Sequence, residues 1–101
     1  MALHIETPLL NSRALSLHSE RAIWLKLEAL QPPGSFQIRG IGLACEDYAR
    51  RGASRFISSS GGNAGIAVAY AGRQLGIPVI VVVPETTSAR ARAISMPPCK
   101  C

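Results

Sequence analysis

The sequence predicts an α/β fold built on an open, mostly parallel sheet with helices on both faces. Three observations predict it. Segments with strand patterning alternate with segments of helical periodicity, in the order strand, loop, helix, strand, helix, strand. One strand, Pro78 to Val83, is a near-continuous Ile/Val run rather than an alternating one, the pattern of a strand covered on both faces. The joints carry Gly, Pro and Ser, the residues that turn a chain. Crossovers between the parallel strands are expected to be right-handed.

Taken in order, Ala22 to Glu28 alternates in part and ends at Gln31-Pro32-Pro33-Gly34, which predicts a strand and then a loop. Ser35 stands where an N-cap belongs. From Phe36 to Arg51 the residues Ile38, Ile41, Leu43, Ala44, Tyr48 and Ala49 recur at three- and four-residue intervals, and Gly52 follows two arginines, so an amphipathic helix with a normal stop is expected. Arg55 to Ser58 reads as a short strand, Ser59 to Gly62 as a turn, and Asn63 to Leu75 as an Ala-rich helix ended by Gly76. The strand Pro78 to Val83 follows, closed by Pro84. Thr86 to Ile94 has the composition of one more helix, capped by Thr87 or Ser88 and stopped by Pro97-Pro98. The chain thus divides into an N-terminal segment, 1–22, an α/β domain, 23–95, and an atypical tail, 96–101.

Composition bounds the function. With 101 residues, 48% hydrophobic and 17% charged, the chain is an ordinary globular sequence with room for one small domain and not for two. A chain of this size buries roughly 60 to 65% of its unfolded surface, which makes a small core. The formal charge of +5 is spread along the chain, with no basic run longer than Arg50-Arg51, unlike a nucleic-acid-binding arm. Cys45, Cys99 and Cys101 have neither disulfide-framework nor metal-ligand spacing, and His4 and His18 lack a partner at i+4. No basic stretch followed by an apolar one opens the chain, and the longest apolar run, Ile77 to Val83, falls far short of the roughly 20 residues that span a bilayer. A cytoplasmic chain that binds neither nucleic acid nor membrane is expected. Trp24, Tyr48 and Cys45 read as core, and Glu46 and Asp47 beside Arg50 and Arg51 as a solvated helix face with i,i+4 pairing. Arg39 is either a buried organiser of its loop or a surface charge.

Two strand-to-helix joints carry the chemistry. Ser58-Ser59-Ser60-Gly61-Gly62-Asn63-Ala64-Gly65 places small residues at a helix start, where free N–H groups can cradle a carboxylate or phosphate; the same residues also suit a plain tight turn with a good cap. Neither a Walker A loop nor the dinucleotide fingerprint is present. The second joint is Gln31-Pro32-Pro33-Gly34-Ser35-Phe36-Gln37-Ile38-Arg39-Gly40.

Together these stretches resemble the fold type II pyridoxal-phosphate enzymes, most closely the L-serine/L-threonine dehydratases. The signature there reads Leu-Lys-X-Glu, Gln-Pro-X-Gly-Ser-Phe-Lys-Ile-Arg-Gly, Ser-X-Gly-Asn-Ala-Gly and Val-Val-Pro. Here Leu25 to Glu28, Gln31 to Gly40, Ser60 to Gly65 and Val82 to Pro84 match in order, and His4 to Leu10 resembles the family's opening, so the match covers residues 3 to about 90. The resemblance implies part of the small domain of the tryptophan synthase beta-like fold, with pyridoxal 5'-phosphate as cofactor. It implies an ammonia-lyase that converts serine to pyruvate or threonine to 2-oxobutanoate, working as a homodimer at full length. Carried over by position, Phe36 lies against the cofactor ring, Asn63 approaches the ring hydroxyl, and Ser60, Gly61, Gly62, Asn63 and Ala64 bind the substrate carboxylate. The catalytic positions are 37 and Ser60.

Two departures bear on activity. The lysine to which the family attaches its cofactor falls at Gln37, whose amide nitrogen cannot form an imine. Lys26 and Lys100 are the remaining lysines. Family members are also much longer, and the phosphate-gripping Gly-rich loop and the group facing the pyridine nitrogen have no counterpart here; past Ala93 the sequence drifts, as a truncated or frameshifted reading would. The expectation is a catalytically impaired lyase segment, the alternatives being a non-catalytic amino-acid-binding module and an inactive fragment.

Overall fold

The computed structural model describes residues 2–86 and residue 89. Its elements are β1 (Leu9–Asn11), α1 (Arg13–Ser19), β2 (Trp24–Lys26), a 3-10 turn (Glu28–Leu30), α2 (Ile38–Arg50), β3 (Phe56–Ser58), α3 (Asn63–Leu75) and β4 (Val79–Val81). The expected helices and strands from β2 to β4 are present, each within a few residues of its anticipated ends. The helix expected over 86–94 lies outside the described residues but for positions 86 and 89, as does the tail.

Sequence periodicity missed β1 and α1, because three strand residues and a seven-residue helix are too short to display a period. They form through local polar chemistry instead. Ser12 caps α1, its Oγ accepting from the Leu15 N–H at 3.3 Å, and the Ile23 N–H donates to Ser16 Oγ at 2.9 Å, which pins the helix to the strand that follows. Glu20 ends α1 at φ 57°, a left-handed conformation strained for a residue with a side chain. The two strands pair antiparallel, Leu10 opposite Leu25, into a ribbon. The first strand read from the sequence therefore pairs with an unanticipated neighbour, while the parallel pairing belongs to β3 and β4, with Ile57 opposite Ile80.

Beyond the ribbon the structure is layered: α2 packs on α3, and α3 packs on the β3–β4 pair. The core is Ile38 and Cys45 from α2, Phe56 from β3, and Ala67 and Ala71 from α3. Small residues let α3 sit between two layers at once. Gly65 and Gly72 face the sheet, and a Cβ on Gly72 would stand 2.8 Å from the Ile77 carbonyl oxygen. Ala67 and Ala71, four residues apart, bury completely. On the far side of the sheet Ile57 is 70% exposed and Ile80 is also open, so the described helical cover lies on the Phe56/Val79 face.

Two core expectations are corrected. Trp24 is 58% exposed, because no described layer covers the ribbon that carries it. Tyr48 is 53% exposed on the outer flank of α2, where the Arg51 guanidinium stacks 5.0 Å above its ring while pairing with Asp47. The Asp47–Arg51 pair is the i,i+4 contact expected on that face, and Cys45 is buried as anticipated, its thiol pushed up in pKa by desolvation.

Candidate functional site

The site is built from the two joints. At the first, β3 ends at Ser58 and α3 begins at Asn63 with Gly62 as N-cap. Side chains shape the turn: the Ser60 N–H donates to Ser58 Oγ at 3.4 Å, and the Gly62 N–H donates to Ser60 Oγ at 3.3 Å. The first intrahelical bond runs from the Ile66 N–H to the Gly62 carbonyl at 3.1 Å. The amides of Asn63, Ala64 and Gly65 therefore have no intrahelical partner, and no side chain caps them. Gly65 permits the close turn, since a Cβ there would collide with the Ser60 carbonyl oxygen and come within 3.4 Å of Val81 Cγ1. Gly62 and Asn63 are exposed, Ser60, Gly61 and Ala64 half-buried, and Gly65 buried, so the turn lies at the surface. Such a helix start favours an anion by roughly 0.3 to 1 kcal/mol at an exposed position.

At the second joint, α2 begins at Ile38 with Gln37 as N-cap, not at Ser35 as the capping expectation had it. Ser35 is buried in the loop, and its hydroxyl has no hydrogen-bond partner among the described residues. Phe36 is 60% exposed, and Gln37 is half-buried.

A hub of polar groups fixes this second loop. The Glu28 carboxylate pairs with the Arg39 guanidinium and accepts from Thr7 Oγ1 at 2.5 Å and from Gln31 Nε2 at 3.2 Å. Gln31 grips the backbone of Ile5 from both sides, accepting from its N–H at 2.9 Å and donating to its carbonyl at 2.8 Å. Lys26 Nζ donates to the Thr7 carbonyl at 2.6 Å. Arg39 thus organises the loop through Glu28, but with its side chain 38% exposed rather than buried as that reading had it. Glu28, Thr7 and Gln31 were not singled out as a cluster by sequence reading. The available signal was a carboxylate just after one strand and an arginine in the first turn of the next helix.

The Arg39 guanidinium and the Thr7 hydroxyl hold the Glu28 carboxyl down from 4.5 to about 2. Because the folded value lies below the unfolded one, this contribution to stability is complete above pH 4.5 and drains away as pH falls toward 2. Acid titration of folded signal is expected to show a loss in that window that Glu28→Gln removes; identical acid profiles for the two chains would contradict it.

The structure brings Ser60, Gly61, Gly62, Asn63 and Ala64 onto one turn, and sets Phe36 and Gln37 on the other joint. An apolar groove of about 440 Å³, lined by Ile41, Cys45, Tyr48, Arg55, Phe56 and Val68 among others, contains none of them. Among the described residues no cluster of His, Cys, Asp and Glu could hold a metal ion, and no helix is long and apolar enough to cross a membrane.

Comparison with known proteins follows the same outline. The family described as pyridoxal-phosphate dependent enzyme matches residues 2–96. The human protein named L-serine dehydratase/L-threonine deaminase is 52% identical over 87 residues, 86% of this chain and 26% of that protein. Human serine dehydratase-like is 55% identical over 85 residues, again 26% of its length, so the chain spans about a quarter of these relatives. Among solved structures, a fungal L-serine ammonia-lyase from Rhizomucor miehei superposes with a TM-score of 0.82 at 36% identity, covering 94% of this chain and 31% of that one. Maize serine racemase superposes with a TM-score of 0.83 at 26% identity, covering 91% and 28%.

Proposed function

The chain belongs to the family of pyridoxal-phosphate dependent enzymes, and from that premise we propose that it is a segment of an L-serine/L-threonine ammonia-lyase whose own contribution is to bind the amino-acid carboxylate. The observation that carries this reading is the turn from Ser60 to Gly65, with the amides of Asn63, Ala64 and Gly65 open at the start of a thirteen-residue helix and Gly65 clearing the space beneath Ser60. We read 23–95 as the partial α/β domain, with 1–22 tied to it through the ribbon and 96–101 as the atypical tail.

The family cofactor is pyridoxal 5'-phosphate, which supplies an aldehyde and an electron-withdrawing ring. The residues present fit it only in part. Phe36 offers an exposed aromatic face to a planar heterocycle. Gln37 offers a carboxamide where an amine is needed, so covalent attachment at that position does not fit. What the chain's residues do is therefore binding and positioning. The amides of 63–65 hold a carboxylate, Ser60 shapes the turn through its hydroxyl, Asn63 projects from the exposed rim, and the Glu28 hub keeps the Phe36–Gln37 loop in place. The whole lyase releases ammonia and yields pyruvate from serine or 2-oxobutanoate from threonine. Gln37 favours a second reading, a non-catalytic amino-acid-binding module that uses the same turn.

Titration of the labelled chain with L-serine is expected to shift the amides of Ser60 to Gly65 first, and acetate is expected to reproduce part of the shift. Nuclear magnetic resonance is the measurement. Shifts centred elsewhere, with this turn silent, would overturn the assignment.

A further inference from the structure

A second groove lies at the far end of the two helices. Its volume is about 520 Å³, and it is lined by Leu3 from the N-terminal segment, Glu46, Ala49 and Arg50 from the last turns of α2, and Gln74 and Leu75 from the last turn of α3. Pockets for small ligands run from roughly 300 to 1,000 Å³. Leu75 is twelve residues beyond Asn63, so the groove stands roughly 18 Å along α3 from the Ser60–Gly65 turn. Its floor is apolar and fixed, since Leu3, Ala49 and Leu75 all pack against the core. Glycine at 42 lets the N-terminal segment lie this close to α2, where a Cβ would stand 3.2 Å from the Leu3 Cβ. The rim is polar and unspent. Neither the Glu46 carboxylate nor the Gln74 carboxamide has a hydrogen-bond or ion-pair partner among the described residues. Arg50, its side chain 67% exposed, reaches Asp47 at 3.5 Å, and Arg51 already holds that carboxylate. Glu46 and Arg50 are four residues apart on one flank of α2, in the order that favours pairing, yet they make no ion pair with each other.

We propose that this groove binds a free α-amino acid with an apolar side chain, leucine or one of similar size, at a site separate from the Ser60–Gly65 turn. The two charges of the rim select the class of ligand. A plain carboxylate is drawn to Arg50 and repelled by Glu46, and a plain amine the reverse. A molecule that carries an ammonium and a carboxylate on one carbon satisfies both walls at once. Gln74 donates to that carboxylate or accepts from that ammonium and so fixes the orientation. The floor of Leu3, Ala49 and Leu75 then covers the side chain, which gives leucine an advantage that serine lacks. This site and the family reading are independent, and neither stands on the other.

The test is titration of the labelled chain, followed by nuclear magnetic resonance, with L-leucine, L-serine, isovalerate, which lacks the ammonium, and isoamylamine, which lacks the carboxylate. L-Leucine is expected to shift the Arg50 Nε–H, the Gln74 side-chain amide and the backbone amides of Glu46, Ala49 and Leu75. Each of the other probes is expected to bind there roughly tenfold or more weakly. Glu46→Gln and Arg50→Gln, both outside the buried core, are each expected to weaken leucine by a similar factor while the Ser60–Gly65 amides respond to serine as in the native chain. No leucine shift at the groove, shifts confined to the Ser60–Gly65 turn, or a response to leucine matched by any other probe would overturn the proposal, as would undiminished leucine binding in either variant. If a variant loses its folded spectrum, the probe series on the native chain decides alone. A Ser60–Gly65 turn that stays silent with serine counts against the proposed function and leaves this site untouched.

Discussion

Gln37→Lys in the isolated chain is expected to capture pyridoxal phosphate on the introduced lysine and yet produce no pyruvate from serine. Capture follows from amine chemistry: an ammonium that loses its proton condenses with the aldehyde, and borohydride then fixes the adduct for mass spectrometry. The native chain is expected to take no label at position 37, and little at Lys26, whose ammonium is engaged in a 2.6 Å hydrogen bond to the Thr7 carbonyl. The absence of turnover follows from what surrounds the new group. Among the described residues no Gly-rich loop at α2 would grip a phosphate, and the two joints present no charged group that would assist the electron-withdrawing ring the cofactor would supply. Label without pyruvate supports this account. Pyruvate from the isolated variant would show that the rest of the fold is dispensable.

Gly65→Ala is expected to remove the response to serine and to destabilise the chain together. The added methyl would strike the Ser60 carbonyl, a backbone atom that cannot rotate aside, so the turn must open. Overpacking of this kind costs roughly 1 to 3 kcal/mol, and opening the turn also disperses the amides that the carboxylate would meet. Gly72→Ala separates the two effects. Its methyl meets Val79 and the Ile77 carbonyl at the other end of α3, so urea denaturation is expected to show a comparable loss of stability while the Ser60–Gly65 amides still shift with serine. Unaltered serine shifts in Gly65→Ala would remove this turn from the binding account.

The helices and the parallel pair were legible because each has a physical period or a punctuating residue: the Ile38-to-Ala49 spacing, Gly76 after Leu75, the Ile/Val run before Pro84. The Ser60–Gly65 turn was legible as small residues at a joint, and as a matched motif. What escaped was of two kinds. The ribbon and α1 are held by single hydrogen bonds such as Ile23 to Ser16, which leave no pattern in a hydrophobicity profile. Trp24 and Tyr48 escaped for another reason: an apolar side chain announces that it needs a cover, and not whether the described chain supplies one. The Glu28 hub lay between these cases, since its members are scattered over residues 5 to 39 and only folding gathers them.

The position of α3 has a consequence for how substitutions spread. Flanked by α2 and by the sheet, and with glycine or alanine at every one of its buried positions, it behaves as a spacer of fixed thickness. A side chain that thickens its N-terminal half pushes two layers apart, and the turn at its head moves with it relative to the loop at the head of α2. An enlargement there, Ala67→Val, is therefore expected to act at the Ser60–Gly65 turn as a change of gauge, weakening the proposed serine response with no contact to it, whereas Gly72→Ala at the far end leaves that response in place. In this segment the tolerances of the core and those of the Ser60–Gly65 turn are one dimension.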